Sequence, residues 1–392
     1  MKSTKLAVAF AASLSAVTLA VPALAEMKLN FTDQSPNRGA RAETTNWFAE
    51  ELEKRTNGEV KMEVHWGGAL LKAKAAAKGI GDGAADMGFL VGVYNPGLHP
   101  AFLLADLPTE YSDPWASTRA FYELNTTNKV LQDEWSDLNL HFIANITTGP
   151  IQLVCKDKAV ASVDDLAGVK MRGISVYGKV AKDLGSIPVK MTAYDTYQGL
   201  DTGLIDCTMF YSYAIPAFKL NEIATDVTLL DWGALMALAM VMNKDAYEAL
   251  SPENQAVVDE LGSEIVDVYA QKINAANAEA VEGLKASGTI TFNDFPAEQK
   301  LQLLEASKGY MDEWKAKASK SGVDAEAVAS DYMRLLKKWD GEREAKGHRS
   351  EGAGDLAKAR VLGRLANGLR LAHQRVDFAD SQHMGSIPPL SE

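Results

Sequence analysis

The sequence predicts an α/β fold with a parallel sheet and enough residues for two lobes. Between residues 163 and 210, short stretches with strand character alternate with stretches of helical character. That alternation favours a parallel sheet whose ligand contacts lie at the strand ends. The chain has 392 residues, of which 47% are hydrophobic and 23% are charged, so a sizeable core can form.

Residues 1–25 have the pattern of a signal peptide. Lys2 and Lys5 precede an apolar run at 6–19, and small residues at 23–25 form a cleavage pattern. The apolar run is too short to span a bilayer comfortably. We therefore predict a mature protein that is secreted through this segment into the periplasm.

The first part of the mature chain alternates between strand and helix patterns. Strands are expected at 27–31, 60–65, 89–94 and 140–146, and helices at 42–55, 73–80 and 115–138. A polar loop at 32–38 follows the first strand, and loops in this position often contact ligand.

The second part continues the pattern and then adds long helices. Strands are expected at 169–172, 188–191, 204–209 and 235–242, and helices at 177–184, 195–202 and 325–339. Ser251, Pro252 and Glu253 supply an N-cap, a first-turn proline and an acidic first turn, which predict a helix extending past residue 278.

Several motifs around residue 172 resemble one family. They are Asp165-Leu-Ala-Gly-Val-Lys-Met-Arg172, a Gly-x-x-Pro strand at 185–188, Tyr197 in the next helix, and Leu200-Asp-Thr-Gly-Leu-Ile-Asp206. Together they look like the central signature of TRAP transporter solute-binding proteins, the DctP family, and the resemblance covers residues 27–338. It implies a two-lobed, periplasmic-binding-protein-like α/β fold with a hinge and a long helix between the lobes. It also implies a receptor that hands a small organic acid anion to the TRAP membrane permease subunits.

The resemblance also suggests how the chain is divided. Lobe I is expected to comprise residues 27–142 and 236–277, and lobe II residues 143–235 and 278–340. Residues 341–392 match no part of the family and are predicted to be an atypical C-terminal extension. For this extension, disorder is favoured over a docking helix because its composition is mixed and interrupted by glycine.

Arg172 is the strongest candidate for ligand binding. A guanidinium at a strand end offers two parallel N–H donors that match a carboxylate, which a lysine cannot do. The alternative for Arg172 is a surface salt bridge to Asp164 or Asp165. The resemblance favours the ligand-binding role.

Other pocket positions are implied by the family pattern. They are Gln34, Val91, Tyr94, Asn145, Tyr194, Phe210 and Trp232. Sugar-acid-binding relatives look to have glutamate and arginine in place of Val91 and Tyr94, arginine in place of Asn145, and asparagine in place of Phe210. Buried hydroxyls without hydrogen-bond partners are costly, so a polyhydroxylated acid is disfavoured. We expect a C4-dicarboxylate, a keto acid or an aromatic or apolar carboxylate, with a zwitterion held against the aromatic rings as an alternative.

Composition and motifs limit the other function classes. A formal net charge of −12 argues against nucleic acid as a partner. The sequence has no P-loop, His-Glu-x-x-His or Cys-x-x-Cys motif, so we predict no enzyme activity, no metal and no cofactor. A periplasmic enzyme acting on the same acid, and a receptor for a signalling partner, remain the alternatives to a transport receptor.

Cys155 and Cys207 form either a disulfide or two buried thiols. Both lie in predicted strands of the same lobe, and the expected compartment is oxidising. Sequence does not show whether their Cα atoms lie within bridging distance, so two buried thiols are the favoured interpretation.

Overall fold

The computed structural model describes residues 26–108 and 113–346. The strands are β1 (Met27–Thr32), β2 (Val60–His65), β3 (Met87–Val91), β4 (Leu140–Ile146), β5 (Ile151–Cys155), β6 (Lys170–Arg172), β7 (Ile187–Pro188), β8 (Cys207–Tyr211), β9 (Asp226–Thr228), β10 (Leu238–Asn243) and β11 (Thr291–Asn293). The helices are α1 (Gly39–Arg55), α2 (Ala76–Gly81), α3 (Pro114–Thr127), α4 (Lys129–Asp137), α5 (Ser175–Asp183), α6 (Thr196–Asp201), α7 (Ala214–Ala217), α8 (Lys244–Glu248), α9 (Pro252–Ser287), α10 (Ala297–Ser307), α11 (Tyr310–Lys320) and α12 (Ala325–Lys346).

These strands form two sheets, each the centre of one lobe. The first sheet has the order β2-β1-β3-β10-β4, and the second has the order β11-β9-β5-β8-β6-β7. In the first sheet β1 runs parallel to β2 and β3, while β10 is antiparallel to both of its neighbours. In the second sheet β6 is parallel to β7 and β8, and β5 is antiparallel to β8 and β9. The predicted two-lobed α/β fold is confirmed, although each sheet is mixed rather than purely parallel.

The chain crosses between the sheets at a hinge where two segments lie side by side. One segment leads from β4 to β5 and the other from β9 to β10, and Pro150 pairs with Ala234 in an antiparallel bridge between them. The buried carboxylate of Asp106 accepts the backbone N–H groups of Met236 (3.0 Å) and Ala237 (2.9 Å) through one oxygen. These bonds hold the segment between β9 and β10 against the first lobe.

The long helix α9 contacts both lobes. Its start is as predicted: the Ser251 side chain accepts the backbone N–H of Asn254, and Pro252 occupies the first turn. Its N-terminal half packs against α1, α3 and β4 beside the first sheet. Further along, the Asn277 side-chain oxygen accepts the backbone N–H of Tyr213 beside the second sheet, at 3.0 Å.

Some helix bounds differ from the sequence prediction. The predicted helix at 115–138 is two helices, because Asn128 has an extended backbone and its side chain caps α4 by accepting the Val130 N–H. The last helix continues to Lys346, beyond the predicted end at 339. It packs against α3, which lies beside the first sheet, although 278–340 was predicted with lobe II. The predicted signal peptide and most of the predicted C-terminal extension lie outside the described residues.

Cys155 and Cys207 form a disulfide with an S–S distance of 2.07 Å. The interpretation as two buried thiols is therefore wrong. The physical reason is strand register: the two cysteines face each other directly across the antiparallel pair β5 and β8, with their Cα atoms 4.1 Å apart. Sequence patterns do not fix that register.

Within the described residues, no helix is both long enough and apolar enough to cross a membrane.

Candidate ligand-binding site

A cavity lies between the two lobes and receives residues from both. It has about 580 Å³ of space that no atom occupies, including the part open to solvent. Residues Ser35, Arg38 and Arg41, at or near the start of α1, line it from the first lobe. Ile174 and the segment 210–218 line it from the second lobe. A molecule in this cavity contacts both lobes at once, as a receptor that closes on its ligand requires.

Six aromatic side chains line the cavity. The rings form a continuous series of neighbours, with centroid distances of 6.5 Å for Tyr94–Tyr194, 6.0 Å for Tyr194–Phe218, 5.2 Å for Phe218–Phe210, 5.5 Å for Phe210–Tyr211 and 6.2 Å for Tyr211–Tyr213. We call these six residues the aromatic wall. Burial raises the pKa of the Tyr194 and Tyr211 hydroxyls, so both remain protonated at neutral pH and can donate hydrogen bonds.

Arg172 ends strand β6 beside β8, and it is not among the residues that line the cavity. Its side chain is fully buried, and Nη1 donates to the backbone oxygen of Met209 at 2.8 Å. In the described parts of the chain, its Nε and Nη2 atoms have no hydrogen-bond partner. The predicted alternative, a surface salt bridge, is wrong because the side chain is buried. Asp165 instead accepts the backbone N–H groups of Ala161 and Ser162.

The other predicted site residues fall into two groups. Val91, Tyr94, Tyr194 and Phe210 line the cavity. Gln34, Asn145 and Trp232 are buried but do not line it. Gln34 donates to the Leu71 oxygen at 3.4 Å, Asn145 donates to the Thr118 oxygen at 3.3 Å, and the Trp232 ring packs edge-on against Tyr177 at 5.0 Å.

Arg41 lines the cavity and was missed in the sequence analysis. Its Nη2 donates to Asp33 Oδ1 at 2.8 Å, its guanidinium lies 4.5 Å from the centroid of the Phe89 ring, and Nη1 lies 3.4 Å from the Tyr194 hydroxyl. Burial disfavours its charged form, but the Asp33 carboxylate and nearby tyrosines outweigh that effect, so the pKa of Arg41 is raised. The available signal was its position just after the polar loop at 32–38.

Two lobes joined by a hinge, with a buried arginine behind an interlobe cavity, define a two-lobed solute-binding protein. The family model for DctP, bacterial extracellular solute-binding protein family 7, matches residues 32–317. The chain belongs to this family, which confirms the resemblance of the motifs around Arg172.

Individual relatives agree with this assignment. The C4-dicarboxylate-binding periplasmic protein DctP of Rhodobacter capsulatus is 27% identical over 326 residues, which cover 80% of this chain and 93% of the relative. A TRAP solute-binding protein from a marine metagenome, specific for aromatic acid ligands, is 26% identical with a TM-score of 0.73, and the match covers 80% of this chain and 100% of that one. A Rhodoferax ferrireducens TRAP solute-binding protein, solved with copurified benzoate, has the same fold with a TM-score of 0.73 at 22% identity, covering 80% of this chain and 99% of that one.

Proposed function

We propose that the protein is the extracytoplasmic receptor of a TRAP transporter and that it captures a small carboxylate with an aromatic or apolar body. The single observation that carries this proposal is Arg172. It is a fully buried cation whose Nε and Nη2 have no partner among the described residues. No covalent step is part of this function.

The unpartnered atoms of Arg172 belong to one edge of the guanidinium. Nε–H and Nη2–H point in the same direction, which is the geometry that a carboxylate accepts with its two oxygens. A buried charge without partners is unfavourable, so a ligand carboxylate placed here removes a cost as well as forming two hydrogen bonds. The Nη1 bond to Met209 holds the guanidinium in place for this contact.

The aromatic wall favours the body of such a ligand. Its six rings offer apolar faces and few polar atoms, which suits an aromatic or apolar group better than a polyhydroxylated chain. A C4-dicarboxylate needs a second cation, but Arg41 is already paired with Asp33, and Arg38, which also lines the cavity, is exposed to solvent. The marine relative that is specific for aromatic acids supports this choice. Because one relative is a C4-dicarboxylate-binding protein, a dicarboxylate is tested beside the aromatic acids.

Capture is proposed to work by closure of the lobes. Lobe I comprises residues 27–142 and 236–277 together with α12, which packs against α3, and lobe II comprises 143–235 and 278–324. Ligand that contacts both lobes stabilises the closed state by its differential affinity for it, and the closed surface is then recognised by the membrane permease. Residues 1–25 act as the signal peptide, which places the mature receptor in the periplasm.

Thermal denaturation and calorimetry of the mature protein test the proposal. Benzoate, phenylacetate, succinate and pyruvate are screened against the wild type, Arg172→Met and Arg334→Ala, the last altering an exposed arginine on α12. We expect an aromatic acid to raise the Tm of the wild type and of Arg334→Ala, since it binds the native state. Loss of a bidentate charged contact is expected to weaken binding to Arg172→Met by about 100-fold.

Two results contradict this proposal. Binding that is equally strong in Arg172→Met makes the arginine a structural residue. If succinate is the one acid that raises the Tm, the ligand is a C4-dicarboxylate and the aromatic acid is excluded.

A further inference from the structure

We propose that Arg41 and Asp33 bind a hydroxyl group on the ligand, so that the receptor prefers a hydroxylated aromatic carboxylate over the unsubstituted acid. This inference rests on the proposed function, because it concerns the same cavity. It adds a second recognised group, a hydroxyl, to the carboxylate that Arg172 is proposed to bind.

The two side chains form a buried ion pair on the first-lobe side of the cavity. Arg41 is 9% exposed and Asp33 is 0% exposed, and Nη2 donates to Oδ1 at 2.8 Å. The pair carries no net charge. A second carboxylate on the ligand therefore finds no uncompensated cation here, and it is repelled by the Asp33 carboxylate.

Each member of the pair keeps one unused polar atom. Within the described ranges, Nε of Arg41 and Oδ2 of Asp33 are both buried and have no hydrogen-bond partner. The first is a donor and the second is an acceptor. A hydroxyl both accepts and donates, so its hydrogen-bonding capacity matches this pair of atoms. A carboxylate satisfies only Arg41, and an ammonium satisfies only Asp33.

The geometry of the pair is fixed before ligand arrives. Asp33 Oδ1 also accepts the backbone N–H and the hydroxyl of Ser35, each at 2.8 Å. The Arg41 guanidinium is held over the Phe89 ring at 4.5 Å. Both Ser35 and Arg41 line the cavity, which brings the pair to its wall. Atoms held in this way lose little entropy when a ligand binds them.

Tyr194 connects this pair to the second lobe. Its hydroxyl lies 3.4 Å from Arg41 Nη1, and its ring belongs to the aromatic wall. A ligand ring that packs against Tyr194 is therefore adjacent to Arg41, and the proposal places the ligand hydroxyl on such a ring.

Calorimetry with four acids tests this inference. Benzoate, 3-hydroxybenzoate, 4-hydroxybenzoate and isophthalate are titrated into the mature wild type, Arg41→Lys and Arg334→Ala. We expect one hydroxybenzoate to bind the wild type about tenfold more tightly than benzoate, since both new hydrogen bonds involve a charged group. Isophthalate, in which a second carboxylate replaces the hydroxyl, is expected to bind no more tightly than benzoate.

Arg41→Lys keeps a cation for Asp33 but removes the Nε–H donor. We expect its preference for the hydroxylated acid over benzoate to fall below about threefold, because one of the two hydrogen bonds is lost. Arg334→Ala is the control, since Arg334 is exposed on α12 and is not among the residues that line the cavity. Its preference is expected to equal that of the wild type.

The outcomes separate this inference from the function on which it rests. If the wild type binds benzoate through Arg172 but binds neither hydroxybenzoate more tightly, the inference is overturned and the receptor function stands. Tighter binding of isophthalate than of the hydroxybenzoates also overturns it. Failure of all four acids to bind overturns both. If Arg41→Lys does not fold, Asp33→Asn replaces it, because its amide donates where Oδ2 accepted, and an unchanged preference in that variant overturns the inference.

Discussion

Arg41, which lines the cavity, and Arg172, which is buried and does not line it, differ in how their charge is compensated. Arg41 has an acidic partner at 2.8 Å, an aromatic ring beneath it and a tyrosine hydroxyl beside it. Arg172 has one backbone oxygen, that of Met209. Both are cationic side chains removed from water, but only Arg41 is neutralised within the described part of the protein.

This difference separates a structural charge from a charge reserved for ligand. Removing one member of a buried ion pair leaves the other uncompensated, which is strongly destabilising. Removing a buried charge that has no acidic partner eliminates a desolvation cost instead. A site that binds an anion by such a charge is less stable when empty, which is a common compromise between stability and function.

A third buried ionisable side chain, Asp106, lies at the hinge. Asp106 is fully buried, and its Oδ2 has no partner among the described residues. Burial raises its pKa to about 6, although the N–H groups of Ala237 and Met236 oppose that change. Asp106 and Arg172 both act electrostatically on Tyr211, in opposite directions. The two charges thus flank the same residue of the aromatic wall without forming an ion pair with each other.

The largest expected effect is on the stability of the empty protein. Arg41→Met leaves Asp33 buried without its cation, so we expect the free energy of unfolding to fall by about 3–5 kcal/mol. Arg172→Met is the matched variant, and its free energy of unfolding is expected to stay unchanged or rise. Urea denaturation of both ligand-free variants measures the difference. An equal loss of stability in both variants contradicts the distinction between the two arginines.

Asp106→Asn is expected to have the next largest effect, and that effect depends on pH. The folded-state pKa of about 6 lies above the ordinary value of 3.8, so the folded protein retains a proton that the unfolded chain releases. This contribution to stability is present below pH 3.8 and is lost as the pH rises through 6. Asparagine keeps the Oδ1 acceptor for the hinge N–H groups and removes the titration.

We therefore expect the free energy of unfolding of Asp106→Asn to equal that of the wild type at low pH and to exceed it by about 3 kcal/mol at pH 8. Urea denaturation across this pH range measures the free energy of unfolding of the variant and of the wild type. The other titrating groups contribute equally to both, so the difference between the two free energies reports Asp106 alone. A difference that does not change with pH shows that the pKa of Asp106 is the same in the folded and unfolded states, which contradicts the effect of burial.

The sequence predicted those features that depend on local patterns. The start of α9 follows from Ser251 and Pro252, whose capping roles involve only nearby residues. The two-lobed fold and the family followed from the motifs around Arg172, since they preserve strand ends and turns. Val91, Tyr94, Tyr194 and Phe210 line the cavity because they occupy positions set by that same backbone.

The features that sequence did not predict depend on tertiary contacts. The Arg41–Asp33 pair forms because α1 turns back against the loop that follows β1, which brings residues eight positions apart into contact. The disulfide depends on the register of β5 against β8. The break at Asn128 was a local signal that the sequence did contain: the weak helix formers Asn125, Thr126 and Thr127 precede a capping residue, but the segment was interpreted as one continuous helix.

The smallest expected effect concerns a hydrogen bond between the lobes. The Tyr94 hydroxyl, which follows β3, accepts the backbone N–H of Ala193 in the second lobe at 2.9 Å. Tyr94→Phe removes this acceptor while keeping the ring that packs against Tyr194. A neutral hydrogen bond contributes about 0.5–1.5 kcal/mol, so we expect the affinity for the preferred acid to fall about two- to tenfold. The free energy of unfolding of the empty protein should change little if this bond acts mainly on the closed state.

Calorimetry and small-angle scattering together decide what the Tyr94 bond does. Weaker binding with a larger radius of gyration in the presence of acid means that the bond stabilises closure, since the ring contact is retained. Unchanged affinity with unchanged compactness contradicts a role in closure. Because Arg172→Met removes the contact to the anion and Tyr94→Phe removes only a contact between lobes, the ratio of their effects separates capture of the ligand from closure around it.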